Sequence, residues 1–262
     1  MSRRIVIFLL VLFSIPAFAV KKSVVLPTKL SGSMMPYDFS DADTVPIWPD
    51  SLKPVYVARV ARHGARYITS AKKLTKLKKE IAKASEAGTL TKEGRKFSSL
   101  LQKVEETTGS QWGRLSEVGC REEQILAEDL YRLLPKLMRD ARVNAISSYI
   151  PRVVMTMYQF NHQLTTLSSR ISISASEGRE YNYLLRCFSA DSLYSAYRDK
   201  GNWVKISEGL TDSIVSPEPA RRLFGAKCGL SDKELRGLTL RMYDILQSLT
   251  AFGMDAPTDE FM

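Results

Sequence analysis

Histidine occurs only twice in the 262 residues, at His63 and His162, and cysteine three times, at Cys120, Cys187 and Cys228. So few imidazoles and thiols leave no zinc-finger spacing, and the lack of any Cys-x-x-Cys argues against a thiol redox or metal role. No RNA-binding signature and no run of basic residues interleaved with aromatics is present. The formal charge of +10 therefore does not by itself indicate nucleic acid, although it can draw polyanions over long range. Past the N-terminus no apolar stretch approaches the ~20 residues of a membrane span. Repeats and low-complexity tracts are missing too. What remains, 44% hydrophobic and 25% charged, is ordinary globular composition.

The first residues read as a targeting signal rather than as part of the fold. Arg3 and Arg4 precede a short apolar run and then Ala17-Phe18-Ala19, the pattern of a secretory signal peptide over residues 1–19. The expected location is periplasmic, secreted or cell-surface. In an exported chain one disulfide is available, with Cys187–Cys228 the favoured pair and buried free thiols the alternative. Residues 20–53, with Pro27, Pro36, Pro46 and Pro49, read as an extended arm lying on the domain. A core over 54–178 and a helical region over 179–262 complete the expected organisation.

Residues 55–62, "VYVARVAR", are rich in valine and predict a strand buried on both faces apart from Arg59. Gly64 then allows a sharp turn. A helix follows with Leu74, Leu77 and Ile81 on one stripe and Gly88 as its stop. A second helix ends at Gly109. A third carries Ile125, Leu126, Leu130, Leu133, Leu134 and Leu137 as its apolar face. Residues 143–149 predict a second strand, Pro151 opens another helix, and 170–175 alternates as a third strand. Beyond Glu180 the pattern is helical, and Ser231 with Glu234 forms a capping box. Strand–helix–strand order predicts an α/β fold, a mostly parallel sheet flanked by helices with a partial helical domain.

The chemistry concentrates at "RHGAR", residues 62–66. Two permanent cations beside a titratable ring favour its neutral form, which has a free lone pair. In open parallel sheets ligands bind beyond the carboxyl ends of strands. Arg62, His63 and Arg66 are expected at one such end, and Arg152 at another, on the first turn of a helix where N–H groups face outward. Guanidinium forks suit tetrahedral oxyanions, so the expected guest is a phosphoryl group.

"RHGARY" resembles the R-H-G-x-R signature of the histidine acid phosphatases. "GRLSEVGCREEQILAEDLYRLLPKL" is similar to the family's G-x-L-(S/T)-x-x-G helix, and "AISSYIPRVVMTMYQF" to its strand–Arg–helix segment. "LLRCF" resembles a third, weaker piece. The broader likeness, over roughly residues 30 to 260, is to the multiple inositol polyphosphate phosphatases and bacterial phytases. The resemblance implies His63 as nucleophile, forming a phosphohistidine that water breaks, with Arg62, Arg66 and Arg152 clamping the phosphate. It implies no cofactor and no metal. The implied partner is a small-molecule phosphate ester, inositol polyphosphate foremost, with a 2,3-bisphosphoglycerate type also compatible.

The resemblance also implies a proton donor from a late His-Ala-Glu or His-Asp pair, and no such pair exists here. His63 is followed by Gly64 and His162 by Gln163. His162, ten residues beyond Arg152 on one helix and thus about 15 Å along its axis, reads as an ordinary helix residue. Asp191 and Glu177 are conceivable acids that nothing singles out. Three strands and no closing strand after "MDAPTDEFM" lead to the expectation of an incomplete C-terminus, and of either a working phosphatase or a phosphate-binding remnant. Lys72, Lys73 and Lys76, among six lysines between positions 72 and 83, read as a solvated helix face or as a rim that steers a polyphosphorylated substrate.

Overall fold

The computed structural model describes residues 32–37, 39 and 51–262. The signal peptide and most of the arm lie outside the described residues. The first two regular helices form as their apolar stripes dictate. Helix α1 (Ala71–Glu86) starts where the Ser70 hydroxyl accepts the Lys72 N–H, and it buries Leu74, Leu77, Ile81 and Ala84. Gly88 follows its end with φ +69°, a left-handed position that favours glycine. Helix α2 (Lys92–Thr108) is capped by Thr91 and buries Phe97, Leu101 and Val104.

Helix α3 (Glu117–Leu133) is capped by Ser116. It does not run through the whole expected leucine stripe. Pro135 removes an N–H and restarts the chain as the one-turn α4 (Pro135–Met138). Strand β1 (Arg142–Ser148) leads into α5 (Pro151–Leu167), which returns the chain to strand β2 (Ser172–Gly178). The two strands pair in parallel, Arg142 opposite Ser172 through Ser148 opposite Gly178. This is the strand–helix–strand unit expected for 143–175, and among the described residues it is the whole sheet. Helices α3, α4 and α5 cover one face through Ala127, Leu134, Met138, Phe160 and Leu164, with Val143 and Ile173 packed against them. Ile146 stays 43% exposed.

Residues 55–62 do not form a strand. They run extended with no backbone hydrogen bond to any described residue, and Val55, Tyr56 and Val60 are 85%, 80% and 96% exposed. Valine supplies β propensity, but a ladder needs a neighbouring strand. The segment is instead held by Arg59. Its guanidinium bonds Glu123 on α3 at 2.7 Å and lies 4.1 Å over the Phe160 ring on α5. The expectation of a strand buried on both faces is thus corrected.

After β2 come short helices α6 (Asn182–Leu185) and α7 (Cys187–Ala190), then α8 (Ser192–Lys200) and α9 (Asn202–Ile214). They contribute nothing to either buried cluster. Helix α10 (Glu218–Phe224) and α11 (Asp232–Leu246) pack back on α1 and α2. Leu223, Phe224, Leu235, Met242 and Ile245 close the larger core with Leu74, Phe97 and Leu101. The capping box of Ser231 and Glu234 is present in full. Short turns at Thr250–Phe252 and α12 (Thr258–Phe261) end the chain, Phe261 packing edge-on to Phe97. Cys120, Cys187 and Cys228 are all free thiols, with no Cys187–Cys228 bridge, but they are not the buried thiols expected: Cys187 is exposed and the other two are half-buried. No described helix is long and apolar enough to cross a membrane.

Candidate active site

The loop that carries His63 is built by contact with α3, not by a strand behind it. The Ala65 carbonyl accepts the Ser116 N–H and hydroxyl, both at 3.0 Å. Tyr67 N–H donates to the Arg114 carbonyl at 3.0 Å and Gly113 N–H to the Ile68 carbonyl at 2.8 Å. Gly64 N–H donates to the Thr156 hydroxyl on α5 at 3.2 Å, and that hydroxyl donates to the Arg152 carbonyl at 2.8 Å. One threonine therefore links the His63 loop to the turn that carries Arg152.

Gly64 is required here for a reason different from the expected one. Its φ is not in the left-handed region. A Cβ at this position would stand 2.8 Å from the Gly119 carbonyl oxygen, and one on Gly119 would overlap the Ala65 backbone. The two glycines let the loop press directly on α3.

His63 is half-buried at one wall of a cavity of about 200 Å³. Arg62, Gly64, Ala65, Arg66, Glu122 and the arm residues Met34, Met35 and Tyr37 line the same cavity. The Nδ1 of His63 lies 2.9 Å from the Gly64 carbonyl. A carbonyl only accepts, so Nδ1 carries the proton and Nε2 keeps its lone pair. Burial, more than any neighbour, holds the ring's pKa down to about 4; the Gly64 bond opposes this, and the charges of Arg152, Arg62 and Arg66 add to it. The repulsion expected from the arginines is real but secondary to desolvation.

Arg62 and Arg66 line the cavity with His63, whereas Arg152 does not line it and acts on the ring through its charge. Arg152 stands on the first turn of α5, as expected, and of the three its charge weighs most on His63. Its Nε is buried without a hydrogen-bond partner among the described residues. Arg66 uses one guanidinium nitrogen on the Tyr67 carbonyl at 3.0 Å and approaches the Met34 sulfur at 3.9 Å. Burial comes first, then the charges of Arg152 and Arg62, in pushing Arg66 below its ordinary value. Arg152 is lowered by burial and then by Arg186 and Arg62. No carboxylate forms an ion pair with Arg62, Arg66 or Arg152 among the described residues. Unpaired guanidiniums around a neutral imidazole make a site for a multiply charged anion.

Other candidates fall elsewhere. Lys72, Lys73 and Lys76 are exposed on α1 and none lines the cavity; Lys73 is paired with Asp244 on α11. His162 is exposed on α5. Asp191 caps α8 by accepting the Tyr194 N–H at 2.9 Å. Glu177 is exposed on β2 beside a separate surface hollow with Tyr149, Pro151 and Arg179. Two residues were missed as site residues. Arg186, within the weaker "LLRCF" likeness, adds a fourth cation in the field of Arg152. Glu122 lies on the buried face of α3 and escaped notice because a glutamate pair reads as surface.

Residues 55–162 match the family model of the histidine phosphatase superfamily (branch 2), a span that contains Arg62, His63, Arg66 and Arg152. The match supports a phosphatase hydrolase whose nucleophile is a histidine. No curated protein matches the chain.

Proposed function

We propose that this chain is an exported phosphomonoesterase, with inositol polyphosphates of the phytate kind as its substrate class. The observation that carries the reading is a neutral His63, its Nδ1 proton fixed on Gly64, in the field of three arginines that have no carboxylate ion-pair partner among the described residues. Nε2 attacks phosphorus in line while Arg62, Arg66 and Arg152 neutralise the equatorial oxygens. The P–O bond to the leaving alcohol breaks, and water then attacks the phosphohistidine to release phosphate. Each guanidinium donor contributes about 3 kcal/mol in the transition state. Arg186, in the field of Arg152, adds further positive charge, which suits a guest carrying several phosphates.

A second reading rests on a specific observation. Glu122 is the only carboxylate lining the cavity among the described residues, and both its oxygens already accept backbone N–H groups. Among the described residues no carboxyl lining the cavity is free to protonate an alkoxide, which favours a site that holds phosphate but turns over only esters with good leaving groups. Turnover of nitrophenyl phosphate and of phytate by the chain and by His63→Ala separates the readings. Hydrolysis of both, abolished in the variant, supports the phosphatase. Hydrolysis of the activated ester alone supports the remnant. Equal activity in chain and variant removes His63 from the chemistry.

A further inference from the structure

We infer that Glu122 is a positioning residue, whose carboxylate holds the His63–Arg66 loop and the arm at a fixed separation across the cavity. The inference rests on the reading of His63 as the nucleophile. Glu122 is 4% exposed and has no basic partner among the described residues, unlike its neighbour Glu123, which has Arg59. A carboxylate buried in this way is tolerable only if its oxygens are hydrogen-bonded. Here Oε2 accepts the Ala65 N–H at 2.7 Å and Oε1 the Tyr37 N–H at 3.0 Å.

The two donors belong to two different segments that line the cavity. Ala65 sits between His63 and Arg66, so its N–H fixes the peptide that aims both side chains. Tyr37 belongs to the arm, which supplies Met34, Met35 and Tyr37 to the cavity. Bonds to an ionised acceptor are roughly twice as strong as neutral ones. One side chain therefore sets both the aim of the nucleophile and the width of the pocket. Glutamine has the same shape but one acceptor oxygen, so an NH₂ group would face one of the two N–H donors. Aspartate keeps the charge but is one carbon shorter.

The test is single-turnover formation of acid-quenched phosphoenzyme from nitrophenyl phosphate. Wild type labels and His63→Ala does not; failure of the wild type to label would defeat the functional reading. Given labelling, E122Q is expected to slow it about 30-fold, since a small misplacement of reacting groups costs up to about 100-fold. Competition by inorganic phosphate should change less than about threefold, because the arginine charges remain, and E122D should recover part of the rate. Leu101→Ala, which damages the larger core at a residue that does not line the cavity, should label at the wild-type rate at 25 °C. A wild-type rate in E122Q overturns the inference. So does a loss confined to phosphate binding, or one that Leu101→Ala reproduces at the same folded fraction. Amide hydrogen exchange decides the matter if E122Q does not fold, and it requires no turnover. In the wild-type chain the Ala65 and Tyr37 amides should exchange far more slowly than those of residues 55–60, and exchange as fast as those would refute the bonds.

Discussion

Gly64 and Gly119 meet backbone to backbone, so the loop bearing His63 rests on helix α3 with no side chain between them. Gly119→Ala puts a methyl into the Ala65 carbonyl and forces the loop away from its bonds to Ser116 and Glu122. The expected cost is about 1–3 kcal/mol of stability, as for other overpacked sites. The loss of kcat should exceed what that destabilisation explains. Urea melts and nitrophenyl phosphate assays on one preparation measure both.

The His63 ring defines an acid limit. The free lone pair persists until pH falls through about 4, so kcat/KM should hold down to that point and then drop tenfold per pH unit. The same shift acts on stability. Between the ordinary value of 6.5 and about 4 the unfolded ring takes up a proton that the folded ring refuses, so stability falls as pH falls through this window. His63→Ala should flatten that part of the curve of melting temperature against pH. An unchanged slope would place the titration on another group.

Arg152 offers a fork, not only a charge. Arg152→Lys keeps the cation but loses paired donors to a tetrahedral anion, so kcat should fall by about 100-fold or more while the fold melts within a few degrees of wild type. Its buried Nε has no hydrogen-bond partner among the described residues, so a bound oxyanion should also stabilise wild type more than the variant. Thermal melts with and without vanadate compare the two.

Arg59→Ala leaves the Glu123 carboxylate, 1% exposed, without its cation. Removing one partner of a buried pair costs about 3–5 kcal/mol, and since Arg59 is itself 30% exposed the lower end applies here. Burial already lifts the Glu123 pKa against the pull of Arg59, and without Arg59 it rises further. A carboxyl raised in the folded state binds its proton there first, so the variant's deficit should shrink as pH is lowered from neutrality towards that value. Urea melts at several pH values test the sign.

Helices α1 and α2 were readable because spacing alone assigns their buried stripes, and the Ser231–Glu234 cap because both its halves are local. Arg152 was placed correctly because proline at the first helical position announces the turn that carries it. Residues 55–62 were not readable in this way: valine content reports propensity, whereas pairing depends on which segment lies alongside. The buried face of α3 was missed for a related reason. Leucine marks the side facing the sheet, while Gly119, Glu122 and Glu123 mark the side facing the loop and the Arg59 segment, where backbone amides and one guanidinium replace apolar contacts.

That no described residue covers much of the stretch from Val55 to Val60 has a consequence for handling the protein in solution. Edges that must stay solitary usually carry lysine, an interior proline or a bulge. This one has a single charge, on Arg59, already committed to Glu123. At high protein concentration molecules should adhere through the peptide that leads to His63, so specific activity would decline with enrichment and recover on dilution.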